Sequence, residues 1–227
     1  MLSMQRRIWA IADTHLSFAS PKPMDIFGQH WHNHAARIQQ QCKRLVEPND
    51  LLLIPGDISW ALKRKDAEPD LSFIADLPGI KVLCKGNHDY WWDSDRPLSY
   101  QGLNDTPFTL PAKEIGVAGT RGWIPINDLM TDEQKISNER IISREKRRLS
   151  KRLDAITDCA VKIVIIHYPP LDDFRALLED HNVSVILYGH LHLGSSEFPT
   201  PEKWYGIPAH CVASDRISFT PKLIMSI

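Results

Sequence analysis

Gly86-Asn87-His88-Asp89, one residue after the apolar run Ile80-Lys81-Val82-Leu83-Cys84, is the stretch that organises this 227-residue chain. A short apolar run bounded by glycine reads as a buried strand, and this one ends in side chains that bind metal ions. Four other runs repeat the pattern. Residues 8–12 precede Asp13 and His15, residues 51–54 precede Gly56-Asp57, residues 161–166 precede His167, and residues 183–187 precede Gly189-His190-Leu191-His192. Polar groups at the ends of buried strands converge on one edge of a sheet, so five scattered motifs point to one metal centre.

The rest of the composition is that of a soluble globular protein. Apolar residues at 43% and charged residues at 24% suit a single globular domain spanning residues 1–227, and exclude a disordered or membrane-embedded chain. A net charge of −1 disfavours nucleic acid as partner. The apolar run after the basic start, Gln5-Arg6-Arg7, stops at Asp13 and is too short for a signal peptide; residues 1–7 read as a lead into the first strand. Cys42, Cys84, Cys159 and Cys211 show no CxxC spacing and read as buried thiols in a reducing cytosol, which makes the expected location cytoplasmic.

Between the motifs the chain alternates helix and strand. Residues 18–28 form a Pro- and Gly-containing loop expected over the strand edge, followed by a helix over about 30–46 and a second over about 68–77. Strand-like segments follow near Phe108 and over 115–118. Residues 131–157 read as one long helix with Thr131 and Gln134 in capping-box positions and Ile142, Leu149, Leu153 and Ile156 near one face. A helix near 171–181 separates the strands bearing His167 and His190, and strands near 210–213 and 223–225 are expected to close a second sheet. This alternation, turning strand-rich at the end, favours an α/β fold with α+β layering.

Asp13 and His15 stand two apart, as do His190 and His192. On an extended segment such pairs project to one side. Two residues of strand advance about 6.6 Å, whereas paired catalytic ions sit about 3.5–4 Å apart, so His190 and His192 could each serve a different ion.

The ordered set DxH, GD, GNHD, His and GHxH resembles the signature of the calcineurin-like metallophosphoesterases over most of the chain. That resemblance implies a β-sandwich flanked by helices, with two divalent ions at one edge. It implies that Asp13, His15 and His192 hold the first ion, that Asn87, His167 and His190 hold the second, and that Asp57 bridges them. His88 would stand beside the ions without binding them; as a candidate catalytic residue it could, if protonated, stabilise the developing charge or protonate the leaving alkoxide. Two divalent ions, two carboxylates and a bridging hydroxide sum to about +1, a centre receptive to a phosphate ester. Nitrogen and oxygen ligands without thiolate suit manganese, iron or zinc. The second motif departs from the family in reading Gly56-Asp57-Ile58-Ser59-Trp60, with no further carboxylate where many members carry one.

Other residues carry two readings each. Arg121, in a glycine-flanked loop, is a candidate phosphate clamp or a surface arginine. Tyr90-Trp91-Trp92 offers Trp91 as a stacking wall for substrate, or as packing beneath the metal loop. Asp89 or another nearby carboxylate could hold His88 in its charged form. His30, His32 and His34 are read as polar residues at a helix start facing the site, with His30 and His34 on one helix face. The helix over 131–157 carries eight Lys/Arg against five Asp/Glu and reads as a solvated face, although an oligomer contact is possible. Together these features describe a metal-dependent hydrolase acting on a small phosphorylated substrate, as a phosphomonoesterase or phosphodiesterase. Alternatives are a nucleotide-linked pyrophosphatase, a nuclease, or a non-catalytic metal-dependent scaffold.

Overall fold

Strands β1 (Arg7–Ala10), β2 (Leu51–Pro55), β3 (Ile80–Cys84), β4 (Leu103–Asp105) and β11 (Lys222–Ser226) form one sheet in the order β11-β1-β2-β3-β4. A second sheet has the order β5-β6-β7-β8-β10-β9, built from Phe108–Thr109 (β5), Ile115–Thr120 (β6), Val161–Ile166 (β7), Val185–Tyr188 (β8), Lys203–Trp204 (β9) and Ile207–Cys211 (β10). The computed structural model describes residues 6–19, 21–93, 96–194 and 200–227. Part of the lead over 1–7 therefore falls outside the described residues, as do Ser20 in the 18–28 loop and Ser94 and Asp95 after the third motif.

The continuous apolar runs have a direct cause. Strands of a sheet covered on both faces lose the hydrophobic-polar alternation of a one-sided sheet. Alternate residues then face different neighbours: Ile8, Leu51, Leu53, Val82, Ile163, Ile165, Val185 and Leu187 form a core between the two sheets. Leu52, Ile54 and Leu83 instead pack on helices α1 (His34–Leu45) and α2 (Arg64–Ala75) through Ile38, Cys42, Leu71 and Ile74. On the far side, Val164, Ile166 and Ile186 meet α3 (Asp132–Asp154) and α4 (Arg175–Asp180) through Leu149, Leu153 and Leu178. The result is a two-sheet sandwich with helices on each outer face. Truncating one of its fully buried leucines, such as Leu53, costs about 2–5 kcal/mol.

Local signals account for most boundaries. The Thr131 hydroxyl accepts from Gln134 N at 3.3 Å while Gln134 Oε1 accepts from Thr131 N at 2.9 Å, closing the capping box that starts α3. The first helix differs from expectation. It begins at His34, because Asn33 turns left-handed at φ 53°, and His30 sits instead in a single 3-10 turn at Gln29–Trp31. His30 and His34 therefore do not share a helix face. The second helix starts a turn early, at Arg64, accommodating Pro69 inside it. The two last strands separate: β10 joins β8 in the second sheet, whereas β11 pairs antiparallel with β1 and so closes the first.

Candidate metal centre

Most of the motif residues sit beyond their strands, in tight turns. Asp13 (φ 56°), His15 (φ 43°), Asp57 (φ 52°) and His190 (φ 67°) all adopt left-handed backbone conformations, a strain found where a surrounding structure over-determines a functional loop. The i, i+2 pairs thus converge through turns rather than through the pleat of an extended segment. Two glycines make this possible. A Cβ at Gly86 would lie 2.1 Å from both the backbone nitrogen and Oδ1 of Asp57, and one at Gly189 would lie 2.3 Å from Asp13 Oδ2.

The turns gather two overlapping groups of donors. Asp13, His15 and His192 offer atoms within 4.8 Å of one another, as do Asp13, Asp57 and His167. His15 Nε2 lies 3.3 Å from His192 Nε2 and 3.9 Å from Asp57 Oδ2. On the other side, Asn87 Oδ1 lies 2.7 Å from His167 Nε2 and 3.1 Å from His190 Nδ1, and His167 Nε2 is 3.4 Å from Asp57 Oδ2. His190 and His192 thus join different groups, and Asp57 lies between them.

These atoms are mostly lone pairs facing lone pairs. His167 Nδ1 is 3.0 Å from the Pro55 carbonyl, which can only accept, so Nδ1 carries the ring proton. Burial holds His167 and His190 down at about 3 and pulls His15 well below its ordinary value, so these rings are neutral. The Nε2 lone pair of His167 then confronts the Asp57 carboxylate and the Asn87 amide. Burial pushes Asp13 well up and Asp57 up to about 6, the response of carboxylates short of positive charge. A cation resolves both conflicts, and the all-oxygen-and-nitrogen donor set fits divalent metal.

A supporting shell fixes the donors. Asp215 Oδ1 is 3.1 Å from His192 Nδ1, Ser214 Oγ donates to the Asp13 carbonyl at 2.7 Å, and His190 N donates to Asp13. Burial opposes charge on His192, but the Asp215 hydrogen bond and the Asp13 charge outweigh it and leave its pKa raised. Asp89 does not hold His88. Its buried carboxylate accepts from the backbone nitrogens of Gly86, Ile58 and Ser59 and from the Trp91 indole, tying the second and third motifs together. Ser59 donates its hydroxyl to Asp70 of α2.

His88 stands at the edge of the cluster, Nε2 4.0 Å from Asp57 Oδ2, with its backbone nitrogen donating to Asp57 Oδ1 at 2.8 Å. Burial lowers its pKa against the raising effect of Asp57. Its ring packs on Trp60, which also stacks on His15 with centroids 4.8 Å apart. Beside it opens a recess lined by Lys22, Lys63 and Tyr90. The structure does not bring Trp91 to the cluster: the ring is buried in the core beneath the loop, and the exposed aromatic of the three is Tyr90. Arg121 lies in the wall behind His167, its guanidinium over the Trp123 ring and 4.0 Å from the buried Glu145 of α3. His30 Nε2 is 3.8 Å from Asp215 Oδ2.

Asp215, Asp70 and Trp60 are the site residues that sequence reasoning passed over. Asp215 follows a strand without any metal motif around it, so only its position beside His192 reveals it.

The sequence pattern of the family described as calcineurin-like phosphoesterase matches residues 6–194. No curated protein matches the chain significantly. Among solved structures, the phosphopantetheinyl hydrolase (PptH) of Mycobacterium tuberculosis is similar, with 14% identity, coverage of 99% of this chain and 97% of that one, and a TM-score of 0.54. The Thermus thermophilus protein TT1561 is 12% identical over 96% of this chain and 98% of that one, with a TM-score of 0.52. At these identities the likeness is one of fold.

Proposed function

From the premise that this chain belongs to the calcineurin-like phosphoesterase family and is a metal-dependent phosphoric ester hydrolase, we propose a two-ion centre that acts on a small phosphorylated substrate. Asp13, His15 and His192 would hold one ion and Asn87, His167 and His190 the other, with Asp57 standing between the two groups. Manganese, iron and zinc suit this donor set. Such ions would polarise the phosphoryl oxygens and lower the pKa of a water for attack on phosphorus.

The chain's own residues complete the reaction. The His88 backbone nitrogen donates to Asp57 Oδ1 and fixes this carboxylate between the two donor groups, where it would bridge the ions. His88, one-third exposed at the rim, stands beside the cluster, where in its protonated form it would stabilise developing charge or give a proton to the departing oxygen. Trp60 holds the His88 and His15 rings in register. The observation that carries this reading is the convergence of His167 Nε2, Asn87 Oδ1 and Asp57 Oδ2, three acceptor atoms with no donor between them.

The test is hydrolysis of 4-nitrophenyl phosphate and bis(4-nitrophenyl) phosphate by metal-loaded protein. Turnover of either probe, abolished in Asp57→Asn, supports the proposal. No turnover of either by well-folded, metal-loaded protein would leave the scaffold reading in its place.

A further inference from the structure

A recess of about 480 Å³ opens directly beside the metal cluster, and neither the chemistry nor the motifs account for it. Its walls come from Trp123, Ile126, Tyr168, Leu171, Leu191 and Trp204, a predominantly apolar surface. That volume is typical of a cavity that takes a small organic ligand. His190 belongs to both places. Its Nδ1 faces Asn87 in the cluster at 3.1 Å, while its ring lines the recess and packs on Tyr168 with centroids 4.2 Å apart. A group bonded to a phosphorus held at the metal centre therefore has the recess as its adjoining space.

Charge narrows the class of occupant. Among the described residues the wall contains no lysine or arginine but includes Asp172 and Asp173, so a second phosphate or other anion would meet repulsion there. Pro169 and Pro170, with φ fixed by their rings, stiffen one side and keep the recess open without ligand. Tyr188, also in the wall, has a buried hydroxyl without a partner among the described residues.

Resting on the phosphoesterase reading, we propose that the substrate is a phosphoester bearing an uncharged, apolar arm, aliphatic or aromatic, which seats in the recess beside His190. The arm gives the enzyme its selectivity, and the cluster supplies the chemistry common to all phosphoesters.

The experiment follows two series with metal-loaded protein. Alkyl 4-nitrophenyl phosphates from methyl to octyl are assayed for turnover, and alkylphosphonates of the same lengths are assayed for binding by calorimetry. Each methylene buried in the recess should raise kcat/KM and affinity roughly fourfold until the space is filled. Ile126→Asp and Leu171→Asp, at positions that are not fully buried, should flatten both series, with thermal melting used to verify folding. A flat series in the unaltered protein overturns the proposal, and so does a rising series that both variants leave intact. If no ester turns over but phosphonate affinity still climbs with chain length and falls in the variants, the recess assignment stands and the catalytic reading fails.

Discussion

Asp215 accepts a hydrogen bond from Nδ1 of His192 across 3.1 Å, and the same carboxylate accepts the backbone N–H groups of Leu193 and Arg216. This contact ties the loop after β10 to the last metal motif. It fixes the tautomer that leaves Nε2 of His192 facing His15 and Asp13. Removing such an outer partner typically lowers metal affinity about 10–100-fold. Asp215→Ala should therefore lose affinity by that factor in a competitive metal titration, with its effect concentrated on the donor group of Asp13, His15 and His192.

Gly86 tests the closeness of the motif turns. A methyl group there would overlap the backbone of Asp57, and overpacking of this kind costs about 1–3 kcal/mol. Displacing Asp57 by an ångström would be more serious for rate, on the order of a hundredfold. Gly86→Ala should thus lower the melting temperature modestly and phosphoester turnover severely. Unchanged turnover in this variant would show that Asp57 does not need its observed position.

His88 separates catalysis from metal binding. Its ring borders the cluster without joining either donor group. His88→Ala should reduce kcat by about 10²–10⁴-fold, the usual contribution of a positioned acid. Metal content measured by mass spectrometry should stay unchanged.

Asp50 provides a pH signature away from the site. It is buried, which raises its pKa, but hydrogen bonds from the Glu47 and Arg7 backbone nitrogens and the Trp9 indole, with the Arg7 charge, prevail and hold it below its ordinary value. A carboxyl lowered on folding contributes stability above its unfolded pKa of about 3.9 and loses it as pH falls through the folded value. Asp50→Asn should cost roughly 1–3 kcal/mol at neutral pH. That deficit should shrink below about pH 4 in denaturant unfolding.

Much of this architecture was legible in the amino-acid order because two-sided burial leaves long apolar runs. The residues 51–54 form part of β2, the residues 161–166 are β7, and the Thr131–Gln134 box starts α3. The motif residues after those runs come together as one cluster. What escaped was tertiary. Asn33 breaks the first helix with a single left-handed residue, and β10 and β11 look alike locally yet join opposite sheets. Asp89 carries no local sign that its partners are Ile58, Ser59 and Trp91 rather than His88. The recess beside His190 is assembled from the segment after Arg121, the prolines after His167 and the strands after the last motif, which only the fold brings together.

The most direct test of the account is to titrate metal-free protein with manganese while following bis(4-nitrophenyl) phosphate and 4-nitrophenyl phosphate hydrolysis. The account predicts that turnover appears as the second equivalent per chain binds and that Asp57→Asn abolishes it. Absence of turnover at saturating metal, or full activity in Asp57→Asn, would contradict it.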